Sequence, residues 1–211
     1  MHSGTPSPDK TALRSRLRKL RQAVPPSVRK HAGRAITRLA QSHRLLSQKR
    51  RIGLYIPAKG EIDCLPLLNR FLWLGADCFL PVVPRARLRK LWFARLGDGP
   101  HWRKNRYGIA EYGHRQTERV RAADLDILFL PLLGFDAAGY RMGMGGGYYD
   151  SSLAFMTRRK HWHKPRLIGL AFEAQKVDKL PTDPWDIPLD GVITERRYYR
   201  FNSGSGGRTQ P

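Results

Sequence analysis

The segment Arg141-Met142-Gly143-Met144-Gly145-Gly146-Gly147-Tyr148-Tyr149-Asp150 gathers a guanidinium, four glycines and a carboxylate within a short stretch of chain. Glycines let backbone amides come close to phosphate oxygens because no Cβ stands in the way, and Arg141 adds a planar fork that matches phosphate bidentately. Asp150 follows closely enough to reach a cation on the same phosphates. Magnesium keeps several waters and takes only one or two protein carboxylates, so Asp190, just ahead of a strand candidate, suffices as a second. The chemistry open to this set is nucleotide binding. It is no Walker A loop, which needs a Lys-Ser/Thr pair where Tyr148-Tyr149 stand, and no dinucleotide fingerprint, whose third glycine would fall at Tyr148. Blander readings stand beside it: a glycine turn that contacts nothing, and Asp150 and Asp190 as caps, turn residues or ion-pair partners.

Glu61 is the second kind of candidate. No acidic residue occurs between Asp9 and Glu61. It lies beside Gly60, just past an apolar run at 52–56, and loops at strand ends hold many binding residues. A carboxylate favoured by a helix N-terminus is the alternative.

These groups need a frame. Leu13, Leu17, Leu20 and Val24 fall at helical spacing until Pro25-Pro26 ends the pattern, with Lys10, Arg14, Arg18 and Arg21 along a neighbouring stripe. A second helix is predicted over 27–46 and a third over 65–74, and the stretch after Gly147 has helix length. Its first amides would also favour an anion. Apolar, β-prone runs at 52–56, 78–83, 127–132, 167–172 and 191–194 are strand candidates, and 90–102 adds a strand or hairpin. The alternation predicts a single α/β domain with a mainly parallel central sheet flanked by helices, and a ligand site at the carboxyl ends of the strands. That domain spans 9–201. Residues 1–8 read as a disordered leader and 202–211 as a disordered Gly/Ser-rich tail.

The chain has 211 residues, 41% of them hydrophobic, enough for one sizeable core. Its longest apolar run, 127–135, is far below the ~20 residues that span a bilayer, so no membrane partner is expected. Cys64 and Cys78 have no metal or disulfide-framework spacing and suit a reducing cytoplasm. The basic first helix lacks a following apolar segment, so it is no secretory signal, although Arg-rich amphipathic helices also serve as organelle addresses. A formal net charge of +22 attracts polyanions: nucleic acid, nucleotide phosphates or a polycarboxylate substrate. Zinc spacing and an RNA-recognition signature are both missing, so nucleic acid is not the expected partner. His161 and His163 read as exposed loop residues.

The run from Gly134-Phe135-Asp136 through Gly139 to Asp150 resembles the signature of the 5-formyltetrahydrofolate cyclo-ligases, also called methenyltetrahydrofolate synthetases. Support comes in order from Lys10 and Arg14, from Tyr55-Ile56-Pro57-Ala58-Lys59-Gly60-Glu61, from Leu80-Pro81-Val82-Val83, from Ile168-Gly169-Leu170-Ala171-Phe172-Glu173-Ala174-Gln175, and from Trp185-Asp186-Ile187-Pro188-Leu189-Asp190. The resemblance implies an ATP-dependent, C–N bond-forming ligase that uses magnesium to convert 5-formyltetrahydrofolate, polyglutamylated forms included, into 5,10-methenyltetrahydrofolate with release of ADP and phosphate. The formyl oxygen would attack the γ-phosphate, the folate N10 would close on the activated carbon, and phosphate would leave. Lys10 and Arg14 would meet ATP phosphates. Arg141, the catalytic candidate, would wrap the nucleotide together with Met142, Gly143, Met144, Gly145, Gly146, Gly147, Tyr148 and Tyr149, and the stretch from Met144 to Tyr148 would also touch the formyl substrate. Asp150 and Asp190 would hold magnesium. Ile56, Glu61 and Tyr107 would line the folate pocket. A cytoplasmic monomer is expected. Tyr112 departs from the family, which commonly places a proline there.

Overall fold

The computed structural model describes residues 8–48, 50–58, 60–84, 88–97, 102–113, 119–158 and 164–201. The leader ahead of Pro8, the tail at 202–211, His161 and His163 lie outside the described residues.

Helices α1 (Pro8–Gln22) and α2 (Pro26–Ser42) meet at Pro25-Pro26. Pro26 sits in the first turn of α2, where a backbone N–H has no intrahelical partner to lose. Leu17 is fully buried, but Leu20 is turned outward, contrary to the expected stripe. The inner position one turn after Leu17 belongs to Arg21, 3% exposed. Helix α2 buries Ala32, Gly33, Ile36 and Ala40. Gly33 is required by close packing, since a Cβ there would stand 2.4 Å from the Asp63 carbonyl.

Strand β1 (Arg51–Gly53) is followed by α3 (Leu65–Trp73), β2 (Asp77–Val82) and β3 (Trp92–Arg95). Then come a separate hairpin of β4 (Trp102–Lys104) and β5 (Ala110–Tyr112), the short β6 (Arg119–Val120) and the central β7 (Ile127–Pro131). A second hairpin, β8 (Gly134–Phe135) with β9 (Arg141–Met142), leads through the glycines to α4 (Tyr148–Leu153). Strands β10 (Arg166–Leu170), β11 (Gly191–Ile193) and β12 (Tyr198–Arg200) complete the chain.

Among the described residues the main sheet runs β12-β11-β10-β7-β1-β2-β3-β6. The inner five strands are parallel, and β12, β3 and β6 are antiparallel at the edges. All five strand candidates are therefore present, and the 90–102 region supplies β3 before the β4–β5 hairpin. Strand β7 is apolar throughout because both its faces are covered. Ile127 and Phe129 face the α2/α3 side, whereas Leu128 and Leu130 pack with Leu153 of α4 and with Val192. Chain order reverses between β1 and β7: β2 follows β1 on one side, while β7, β10 and β11 build outward on the other. A crevice opens at the carboxyl ends of the strands at such a switch point.

Candidate active site

Two loops leave the sheet at that crevice. One carries Leu54 to Glu61 after β1; the other carries Leu132 and Leu133 after β7 into the β8–β9 hairpin. A Cβ on Gly134 would meet Leu17 at 2.8 Å, so α1 lies directly across this second loop. Leu13, Leu17, Leu133, Met142 and Leu180 pack together there.

The hairpin is set by polar groups that local sequence patterns did not single out. Asp136 is 2% exposed; its Oδ1 accepts the N–H groups of Ala138 (3.0 Å) and Tyr140 (2.9 Å), and its Oδ2 accepts that of Leu180 (3.1 Å). This Asx-type turn needs the left-handed Gly139 (φ +87°), and an Asp three residues ahead of a Gly is the signal that could have revealed it. Gln175, also buried, donates to the Leu132 and Leu133 carbonyls (2.8 and 3.1 Å) and accepts the Phe172 N–H (2.8 Å).

Arg141 leaves β9 with its guanidinium fixed on two sides. Nη1 donates to the Ile187 carbonyl (2.8 Å) and Nη2 to Asp150 Oδ1 (2.5 Å). The Arg141 side chain is 6% exposed and that of Asp150 52%, so the pair joins a buried guanidinium to a solvent-facing carboxylate. After Met142, Gly145 and Gly147 adopt positive φ (+97° and +66°). Arg14 lies against Gly145, 3.6 Å from where a Cβ would stand, and its buried Nε has no hydrogen-bond partner among the described residues. Arg89, from the β2–β3 connection, lies against Gly147 at the same separation. The Tyr148 ring covers Gly146. Three guanidiniums thus bracket a loop in which Met144 is the one residue with a Cβ between Gly143 and Gly147. Arg89 carries no local signal, because its placement depends on how the β2–β3 connection folds back over a loop distant in sequence. Helix α4 has only one and a half turns, shorter than its sequence suggested, so what it offers an anion is its first free amides rather than a long dipole.

Lys10 reaches Asp183 (2.5 Å) and so ties the start of α1 to the loop whose Ile187 carbonyl holds Arg141. The other expected carboxylate, Asp190, immediately precedes β11 at the amino edge of the parallel strands. Its Oδ2 accepts the Leu167 N–H (2.7 Å), and its own N–H donates to the Leu167 carbonyl (2.9 Å). The residue just before Asp190 donates its N–H to the Gly139 carbonyl (2.9 Å), at the turn of the β8–β9 hairpin that carries Arg141. Among the described residues no group of three or more His, Cys, Asp or Glu is placed to hold a metal ion.

The neighbouring half of the crevice is built from the β1 loop. Glu61 is largely buried: Oε2 accepts the Ala58 N–H (2.9 Å), and Oε1 faces Arg21 Nη1 (3.5 Å). Arg29 braces the same loop by donating to the carbonyls of Gly60 (3.2 Å), Val24 (3.0 Å) and Arg21, while its guanidinium lies over the Phe172 ring. Ile56 packs half-buried against the core. Burial, followed by the nearby Glu61 carboxylate, pushes the Tyr149 phenol far above its ordinary range, so it stays a neutral hydroxyl between the two halves of the site. Tyr107, at the tip of the β4–β5 hairpin, meets Tyr148 through their hydroxyls (2.8 Å) and edge-on rings. Tyr112, where a proline was the usual family choice, is buried in β5 opposite Trp102, and the hairpin ladder runs through it. Cys64 and Cys78 are free; burial pushes both thiols up to about 12.

The structure therefore brings Arg14, Arg141, Asp150, Tyr148 and Tyr149 to the glycine loop, sets Tyr107 against Tyr148, and holds Ile56 and Glu61 on the neighbouring β1 loop, while one Asp190 oxygen accepts the Leu167 amide. The sequence profile of the 5-formyltetrahydrofolate cyclo-ligase family matches residues 6–195. The 5-formyltetrahydrofolate cyclo-ligase of Haemophilus influenzae is 32% identical over 183 residues, covering 86% of this chain and 95% of that protein. The enzyme of the same name from Escherichia coli is 28% identical over 187 residues, covering 88% and 100%. The solved structure of Aquifex aeolicus 5,10-methenyltetrahydrofolate synthetase superposes with a TM-score of 0.74 at 28% identity, over 94% of this chain and 96% of that one. Family profile, relatives and fold agree, and the chain belongs to the 5-formyltetrahydrofolate cyclo-ligase family.

Proposed function

We propose that this protein converts 5-formyltetrahydrofolate into 5,10-methenyltetrahydrofolate at the expense of ATP, through a phosphorylated formyl oxygen. The observation that carries the proposal is the meeting, at one switch-point crevice, of a glycine loop bracketed by Arg14, Arg89 and Arg141 with a pocket lined by Glu61, Ile56 and Tyr107. The arginines fit a triphosphate: Arg14 keeps a buried donor without a partner among the described residues, and Gly145, Gly146 and Gly147 present no Cβ to obstruct phosphate oxygens.

The folate is an amphiphile whose pteridine carries N–H donors. Glu61, an acceptor held in place by Arg21 and the Ala58 amide, suits that end. The Tyr107 and Tyr148 rings suit the flat body of the molecule. An amide-like formyl oxygen is a poor leaving group until it is phosphorylated. In the first step it bonds to the γ-phosphorus and ADP departs; in the second, N10 bonds to the formyl carbon and gives up its proton to solvent, and the C–O bond breaks, releasing phosphate. Arg141, fixed on two sides, is positioned to stabilise charge on the transferring phosphoryl group without reorganising. Both nitrogens belong to one bound molecule, so ring closure is intramolecular.

Asp150 is the carboxylate we assign to magnesium, which when bound would offset charge on the triphosphate. Its half-exposed side chain beside the loop fits a cation that retains several waters. To Asp190 we assign instead the register of β10 with β11, because its carboxylate is committed to the Leu167 amide. The two buried free thiols suit a reducing compartment, and we place the enzyme in the cytoplasm. The test is the ATP-dependent rise of the methenyl absorbance from 5-formyltetrahydrofolate, with and without magnesium. Folded protein that produces no methenyl product under these conditions would exclude the proposal.

A further inference from the structure

The β4–β5 hairpin carries two arginines in different circumstances. Arg103 is paired, its guanidinium forking onto Glu111 (3.2 and 2.6 Å), whose other oxygen accepts the Val83 N–H (3.0 Å). Arg106, at the exposed tip, has no carboxylate partner among the described residues. It is nevertheless held in place. Its guanidinium carbon lies 5.3 Å from the centre of the Tyr107 ring and 5.9 Å from that of Tyr148, and Nη2 donates to the Tyr148 hydroxyl. The tip itself is braced by Asn105, whose Oδ1 accepts the N–H groups of Tyr107 (2.9 Å) and Ile109 (3.2 Å), and by Gly108 at φ +72°. A cation with no carboxylate partner among the described residues is thus clamped between the two aromatic rings at the outer end of the crevice, while the inner end holds the carboxylate of Glu61.

That polarity matches one orientation of a folate. A buried carboxylate repels anions and favours the pteridine donors; the outer arginine favours the opposite, dicarboxylate end. We propose that Arg106 is a specificity residue that contacts the glutamate carboxylates of the folate substrate, an assignment that rests on the cyclo-ligase reading above. The aromatic clamp limits the rotamer freedom that a long side chain otherwise loses on pairing. Because Arg106 is exposed, its contribution lies between a screened surface pair and a buried charge-assisted bond, and the expected effect is roughly tenfold in KM.

The test compares wild type, Arg106→Gln and Arg106→Lys on 5-formyltetrahydrofolate and on 5-formyltetrahydropteroate, which lacks the glutamate. Glutamine keeps a donor for Tyr148 but loses the charge. Arg106→Gln should raise KM for the folate about tenfold, with kcat and the KM for ATP unchanged, and lysine should restore part of the loss. The pteroate should be a correspondingly weaker substrate of the wild type, and Arg106→Gln should weaken it no further. An equal KM rise for both substrates would mean that Arg106 acts only through Tyr148 and would overturn the proposal. An unchanged folate KM, or a shift in the KM for ATP instead, would overturn it as well. A wild type that turns over neither substrate rejects the cyclo-ligase reading itself, a failure distinct from those three.

Discussion

Replacing Glu61 by alanine removes the counter-charge of a buried arginine, and the size of the effect follows from the local geometry. The Arg21 side chain is 4% exposed and that of Glu61 10%; their closest approach is 3.5 Å, and Arg21 Nε is buried with no hydrogen-bond partner among the described residues. Burial already disfavours the charged guanidinium, and Glu61 is the main influence opposing this. Breaking a buried pair by deleting one member costs about 3–5 kcal/mol. The long contact and the slight exposure of Glu61 place this case near the lower end, about 3 kcal/mol, including the lost acceptor for the Ala58 amide. For a chain of this size that lowers the thermal midpoint by roughly 6–12 °C. Differential scanning calorimetry and urea unfolding measure it. Glu61→Gln, which retains the Ala58 acceptor, should lose less. Arg21→Met combined with Glu61→Leu should recover most of the deficit, because no charge is then left buried. A Glu61→Ala protein within about 1 kcal/mol of wild type would refute the reasoning, since it would mean that water reaches Arg21 and the pair is a screened surface contact.

Arg141→Lys keeps the charge but cannot reach both the Ile187 carbonyl and Asp150 with a planar fork, so steady-state kinetics should show kcat reduced by about 10²–10³ with stability little changed. Asp190→Asn retains an acceptor for the Leu167 amide; a magnesium titration of the activity should give the wild-type midpoint, and a clear weakening would return Asp190 to the metal site. Burial raises the Glu173 carboxyl, but hydrogen bonds from Tyr199 and Thr194 with the charges of Arg197 and Arg196 outweigh it and leave the group below its ordinary value. Its stabilisation is therefore full above the unfolded carboxylate range, near pH 4.3 for glutamate, and is lost as pH falls through the lower folded value. Glu173→Gln should flatten that acid limb of the stability curve, and an unchanged limb would contradict the assignment.

The sheet was legible because its strands are covered on both faces. Ile127 to Leu130 are apolar without alternation, and that run marks a central parallel strand wherever it falls. The glycine loop was legible for a local reason as well, since Gly145 and Gly147 hold positive φ, which side chains rarely adopt. What escaped depends on contacts between distant segments. Leu20 has the spacing of a core residue, yet Arg21 takes the inner face because Glu61 awaits it across the crevice. The bond of one Asp190 oxygen to the Leu167 amide depends on the β10–β11 register, which no local pattern encodes. Arg89 and Arg106 look like any other basic residues in a chain of net charge +22, and only the folding of two connections over the site distinguishes them.

The central claim, that the formyl oxygen is phosphorylated before ring closure, is tested most directly by turnover of 5-formyltetrahydrofolate carrying ¹⁸O in the formyl group. Mass spectrometry of the released phosphate should find one ¹⁸O for each methenyl product formed, with ADP in equal amount. Methenyl product accompanied by unlabelled phosphate, with the ¹⁸O in water, would contradict the account.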